Sequence, residues 1–122
     1  MAKAGWGLVR DSGRVFLEAA PTGTDPDAIG AELAALPDVA EVHDLHLWQI
    51  TSGQPALSAH VLVAAGGDCH HVADLSRRLL RDEHQLEHTT LQVDHTPITS
   101  TGHPDLADEH CHEPHGLIHR AP

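Results

Sequence analysis

The chain has 122 residues, 40% of them hydrophobic and only 2% aromatic, which fits one small domain with a modest core. Its formal net charge of −11 argues against nucleic acids and anionic membrane surfaces as partners, because both require basic patches. The thirteen histidines are the strongest anomaly in the composition, and they favour metal binding.

The cysteines and the apolar runs indicate the compartment. Cys69 and Cys111 form neither a Cys-x-x-Cys pair nor a disulfide framework, so we interpret them as reduced thiols. We find no apolar run of about 18 residues, as a transmembrane helix would need. The first thirteen residues lack the apolar centre of a signal peptide. These features together predict a cytoplasmic domain.

The first elements are a lead-in and a helix. Residues 1–20 form either a flexible lead-in or the stub of a longer helix that arrives from elsewhere, and the pattern leaves both open. A linker and then a helix are predicted within residues 21–37, where Pro26 suits the first helical turn. Ile29 and Leu33 recur at helical spacing and give the helix one apolar stripe.

The middle of the chain predicts the rest of the fold. Its apolar patterns indicate strands over 39–50 and 56–64, a helix over 69–83, and a strand over 86–95. The order helix, strand, strand, helix, strand predicts an α+β fold, an open-faced sandwich of the ferredoxin-like kind. One face of its sheet would lack a cover, so we expect a homodimer in which a second copy supplies one.

The composition changes after the last strand, which divides the chain into a lead-in (1–20), a metal-binding domain (21–97) and a tail (98–122). The tail has five histidines but no apolar periodicity, so we predict that it is disordered. Its His110-Cys111-His112 run offers donors for weak metal capture without fixed geometry. We expect removal of the tail to leave the fold intact.

Four candidate metal ligands lie at or near the ends of strands: His43, His60, His88 and Asp94. Pairing of strands brings distant residues together, and imidazole nitrogens with one carboxylate oxygen suit zinc and related divalent metals. His70, in the first turn of the second helix, is a fifth candidate. Any one strand histidine is more often packed or solvated than a ligand, so the prediction depends on the group.

Other chemistry is not indicated. The sequence has no Gly-rich phosphate loop after a strand and no Gly-x-Ser-x-Gly, so we predict no enzymatic reaction. Strict alternation along the first strand would place His46 and Trp48 on the opposite face from His43, or on the open face. We interpret Trp48 as a core or dimer-interface residue.

Four motifs follow one another in the sequence: His43-Asp44-Leu45-His46-Leu47-Trp48, Ile50-Thr51-Ser52-Gly53, Leu57-Ser58-Ala59-His60 and His88-Thr89-Thr90-Leu91-Gln92-Val93-Asp94. In this order they resemble the C-terminal cytoplasmic domain of cation diffusion facilitator transporters. The resemblance implies a metallochaperone-like α+β fold, a homodimer, a cytoplasmic location, and binding of zinc or related divalent cations. It also implies that metal occupancy regulates efflux by an attached six-helix membrane domain.

By position, the resemblance makes His43, His60 and Asp94 metal ligands. His70 corresponds to a helix-start histidine that some members use, and His88 to a histidine common in the family. Gln92 stands where certain members have a ligand histidine. Because no membrane domain is present, the chain is either part of a transporter or a stand-alone metal chaperone or buffer. A purely structural dimerisation domain is the third possibility.

Overall fold

The computed structural model describes residues 2–17, 19–96 and 116–122. Its helices and strands are α1 (Ala2–Phe16), α2 (Pro26–Ala34), β1 (Val39–Thr51), β2 (Gln54–Val63), α3 (Cys69–His84), β3 (His88–His95) and β4 (His119–Arg120). The predicted order helix, strand, strand, helix, strand is confirmed from α2 to β3. Within the described ranges, no helix combines the length and the apolar character needed to cross a membrane.

Two aspartates fix where α2 and α3 begin. Asp25 accepts a hydrogen bond from the backbone N–H of Asp27 at 3.0 Å, ahead of a proline in the first helical turn. Asp68 accepts from the backbone N–H groups of His70 and His71 at 2.9 and 3.1 Å. Each carboxylate satisfies amide donors that have no partner inside the helix, so both starting points follow from local sequence.

The sheet has the strand order β3-β2-β1-β4. Strands β1 and β2 form an antiparallel hairpin, whereas β2 and β3 are parallel and are connected through α3. A parallel pair needs a long crossover, which α3 supplies. The buried side chains of α2, α3 and one face of the sheet form a single core, including Ile29, Leu33, Val61, Val72 and Leu80. Helices α2 and α3 therefore cover one face of the sheet.

The other face of the sheet, here called the open face, carries the side chains that alternate with the core residues. The strand register places His43 opposite His60, and His60 opposite Gln92. It also places His46 opposite Ser58 and Trp48 opposite Ala56. The β2 residues of these pairs, Ala56, Ser58 and His60, are two positions apart, so their side chains and those of their partners lie on the same face, the open face.

Both ends of the chain contain secondary structure. The lead-in contains helix α1, in agreement with the helical one of its two predicted alternatives, and α1 exposes Trp6, Leu8 and Val9. The predicted disorder of residues 98–122 does not hold for residues 119 and 120, because these pair with β1 as strand β4. The run His110-Cys111-His112 lies outside the described residues.

Candidate metal centre

His43 and His60 face each other across the β1–β2 hairpin. Their ring centroids are 5.3 Å apart and the ring planes meet at 73°, an edge-to-face arrangement. The two residues are partners in the register of the antiparallel strands, so the backbone sets the positions of the rings. The hairpin thus creates the contact between two histidines that lie far apart in sequence.

A β-bulge brings a carboxylate to this pair. Between the pairs His43–His60 and His46–Ser58, β1 has two residues where β2 has only Ala59. Asp44, the first of the two, has a φ of 49°, in the left-handed region that aspartate tolerates better than most residues. An uncommon backbone conformation of this kind, held in place by the fold, is typical of functional sites.

The bulge places the Asp44 carboxylate beside His60, with Oδ2 3.7 Å from Nδ1. One donor atom from each of His43, Asp44 and His60 lies within 4.8 Å of the other two. Donors that share one zinc ion at bond lengths near 2.1 Å lie roughly 3.4 Å apart, so small side-chain rotations would close the set. The three residues fit a zinc-type ion by both donor chemistry and spacing.

The cluster lies below the surface of the open face. The His43 side chain is 5% exposed, Asp44 17% and His60 27%. Asp44 and His60 line a depression of about 270 Å³ together with Thr90 and Gln92. Partial burial strengthens the attraction between a carboxylate and a cation, while the depression leaves a path for the ion to enter.

Glu41 orients the buried histidine of the cluster. Nδ1 of His43 lies 3.1 Å from Oε1 of Glu41, and because an ionised carboxylate only accepts, the ring nitrogen donates. In the neutral ring this puts the lone pair on Nε2, which would be the nitrogen that coordinates a metal. A carboxylate behind a ligand histidine is a common arrangement in metal sites.

Asp94 lies on the open face but outside the cluster. It pairs with Leu62, two residues beyond His60 on β2, a separation of about 7 Å along the strand. Its carboxylate accepts a hydrogen bond from Nε2 of Gln92 at 2.8 Å, and Gln92 is the residue opposite His60. Asp94 is therefore a neighbour of the cluster, connected to it through Gln92.

The remaining two predicted ligands lie elsewhere. His88 pairs with Ala56, about 13 Å along the strand from the position opposite His60, and its Nε2 lies 2.8 Å from Nε2 of Gln54. His70 is exposed at the start of α3. There the backbone N–H groups of His71 and then His70 lower the pKa of Asp68 by bonding its carboxylate.

The structure thus brings together His43 and His60 of the five predicted ligands. The assignment of His70, His88 and Asp94 as ligands stays a prediction. Sequence reasoning missed Asp44, because strict alternation puts adjacent residues on opposite faces. For the same reason, the expectation that His46 lies on the opposite face from His43 is wrong, and the alternative that it lies on the open face is correct.

Comparisons with known proteins point to one family of domains. Residues 21–96 match the family model described as cation efflux protein, cytoplasmic domain. A solved structure with the same fold is the metal-bound C-terminal domain of the CzcD transporter from Cupriavidus metallidurans, with a TM-score of 0.53 and 28% identity. That match covers 57% of this chain and 97% of the CzcD domain.

Several curated relatives are transporters. A probable zinc transporter of Dictyostelium discoideum is 34% identical over 71% of this chain, which spans 16% of that protein. The zinc transporter ZitB of Escherichia coli is 30% identical over 78% of this chain, which spans 30% of that protein. The chain therefore corresponds to less than a third of the length of these relatives.

Proposed function

This chain belongs to the family of cation efflux proteins and matches their cytoplasmic domain, and from this we propose that it binds zinc or a related divalent cation at His43, Asp44 and His60. We further propose that it dimerises and that its metal occupancy controls efflux by a six-helix membrane transport domain of the same family. The observation that carries the proposal is the convergence of three donor atoms within 4.8 Å at the β-bulge.

The donor set favours a zinc-type ion over calcium or magnesium. Two imidazoles and one carboxylate match the nitrogen and oxygen ligands that zinc prefers, whereas calcium and magnesium take oxygen ligands. Zinc is usually bound by four ligands, so a fourth donor would complete the shell. Asp94 is our candidate for that donor, because Gln92 connects it to His60 across the strands.

Dimerisation through the open face would place the metal site near the contact between the two copies. The open face carries the half-buried Trp48, and the adjoining end of β1 exposes Ile50. A second copy would remove this apolar surface from water. If the ion binds one arrangement of the dimer more tightly, it shifts the population toward that arrangement, which is how occupancy would reach an attached transport domain.

The proposal is tested by melting curves with and without zinc. A ligand that binds only the folded state stabilises it by about 2.7 kcal/mol at a free concentration of roughly one hundred times Kd. We expect His60→Ala and Asp44→Asn to remove most of this stabilisation and to leave the metal-free protein folded. Asparagine tolerates the left-handed conformation at position 44, so it removes the charge and keeps the bulge.

His71→Ala is the matched control, because it removes an exposed histidine of α3 that is not a predicted ligand. Zinc stabilisation should also weaken on acidification, because protons compete with the metal for imidazole nitrogens. Equal zinc-induced shifts for wild type and His60→Ala would refute the site. Sedimentation that shows only monomer with zinc at high protein concentration would refute the dimer.

A further inference from the structure

The last seven residues, 116–122, lie against the edge of the sheet and are here called the C-terminal strap. Arg120 pairs with Glu41 and His119 with Val42 in an antiparallel ladder, and the backbone N–H of Ala121 donates to the carbonyl of Ala40 at 3.1 Å. The strap therefore occupies the outer edge of β1, immediately beside His43.

The side chain of His119 also packs the strap against helix α2. The His119 ring lies directly on Gly30, so closely that a Cβ at that position would be 2.9 Å from Cε1 and nearer still to Cδ2 and Nε2. Nε2 of His119 is 4.0 Å from a carboxylate oxygen of Asp27, and the side chain is only 13% exposed. The strap is thus seated by its side chains as well as by backbone pairing.

Glu41 connects the strap to the metal centre through its two carboxylate oxygens. Oε1 accepts from Nδ1 of His43 at 3.1 Å, and Oε2 accepts from Nε of Arg120 at 3.2 Å. Glu41 is 22% exposed, whereas Arg120 is 72% exposed. The exposed Arg120 thus restrains the carboxylate of Glu41, and Glu41 in turn restrains the buried His43.

This geometry restrains the orientation of the His43 ring. A carboxylate held on both oxygens has fewer rotamers than a solvated one, so the His43 ring keeps its Nδ1–H on Glu41 and the lone pair on Nε2. Partners of this kind behind a ligand histidine change metal affinity by about tenfold or more when they are removed. A largely exposed ion pair such as Glu41–Arg120 contributes less, up to about fivefold.

We propose that Glu41 is a positioning residue for His43 and that the C-terminal strap holds Glu41 in place through Arg120, so that metal binding and seating of the strap favour each other. The inference rests on the metal site of the proposed function. Coupling of two binding events is reciprocal, so a strap that improves metal affinity is itself held more firmly when the ion is bound.

The direction of the effect separates this proposal from simple electrostatics. Removing a positive charge near a cation site should tighten metal binding if Arg120 acts only by repulsion. If Arg120 acts through Glu41 and His43, its removal should weaken binding. A strap that only covers a strand edge would change fraying of β4 and leave metal affinity unaltered.

The test measures zinc affinity of the full chain by competition with a chromophoric chelator at neutral pH. The site of interest is the one that His60→Ala eliminates. We expect Arg120→Ala to weaken it by about threefold and Glu41→Ala by about tenfold. Arg78→Ala, which removes another largely exposed arginine, paired with Asp74 on α3, should leave it unchanged.

A double variant and two further measurements complete the test. In the Glu41→Ala background, Arg120→Ala should cause no additional loss, and an added threefold loss would overturn the proposed route. Nitrogen NMR of the metal-free protein should show the Nδ1–H tautomer of His43 in wild type and a mixture in Glu41→Ala. Amide exchange at Ala121 should slow on addition of zinc in wild type only.

The outcomes distinguish the strap from the site itself. If wild type binds no zinc through His60, the proposed function fails. If it does bind zinc and Arg120→Ala matches Arg78→Ala, only the strap proposal fails. An Arg120→Lys variant that restores affinity would support a charge-assisted contact with Glu41.

Discussion

Replacing Gly30 by alanine should destabilise the domain, although alanine is the better helix former. Gly30 lies inside α2, where alanine would normally add about 1 kcal/mol of stability. Here the new Cβ would collide with the His119 ring, which is held on the helix by the pairing of β4 with β1. Overpacking of this kind costs about 1–3 kcal/mol, so the net loss should be between zero and about 2 kcal/mol.

The same substitution should change sign when the ring is absent. In a His119→Ala background the collision disappears and only the helix-propensity gain remains, so Gly30→Ala should stabilise by up to about 1 kcal/mol. The interaction between the two substitutions, read from a double-mutant cycle, should therefore be about 1–3 kcal/mol. The loss in wild type has an upper limit, because undocking of β4 relieves the collision.

Urea denaturation of the four proteins measures these free energies, with equal m-values as the check that the unfolding transition is unchanged. Gly67 is not a suitable control because Val63 crowds it, whereas Gly5 in α1 has open space around it. Gly5→Ala should be neutral or stabilising in both backgrounds. If Gly30→Ala stabilised the protein with His119 intact, the seating of the strap on α2 would be wrong.

Three further predictions concern stability. Ser76→Ala should stabilise by about 1–3 kcal/mol in urea denaturation, since Ser76 Oγ is buried with no hydrogen-bond partner among the residues the structure describes, and a loss would show that it has one. Removing residues 116–122 should cost about 1–3 kcal/mol, the net value of a few backbone hydrogen bonds, and an unchanged urea midpoint would restore the expectation of a dispensable tail. Asp68→Asn should keep the helix cap but make the free energy of unfolding less dependent on pH in acid. The folded state lowers the Asp68 pKa from 3.8, so the ionised carboxylate stabilises wild type above this value and the stabilisation is lost as pH falls below it. An identical acid dependence of the two proteins would contradict the assignment.

Local sequence determined most of the elements of this fold. The spacing of Ile29 and Leu33, the capping aspartates and the alternation along β2 act over a few residues, so a helix or strand can be recognised without knowing its neighbours. Alternation along β3 likewise places Leu91 against the core. The contact between His43 and His60 was predictable because a short hairpin has few possible registers.

Tertiary structure alone decided which carboxylate joins the histidines. In the bulge, β1 has one residue more than the paired segment of β2, and the identity of Asp44 alone does not predict this. One extra residue in β1 reverses the face of the sheet on which each later side chain of the strand lies. His46 therefore lies on the open face together with His43. Strand β4 could not be predicted for a related reason, because two polar residues show no periodic pattern. They form a strand through contacts with residues distant in sequence: the His119 ring packs on Gly30, and Arg120 donates to Glu41.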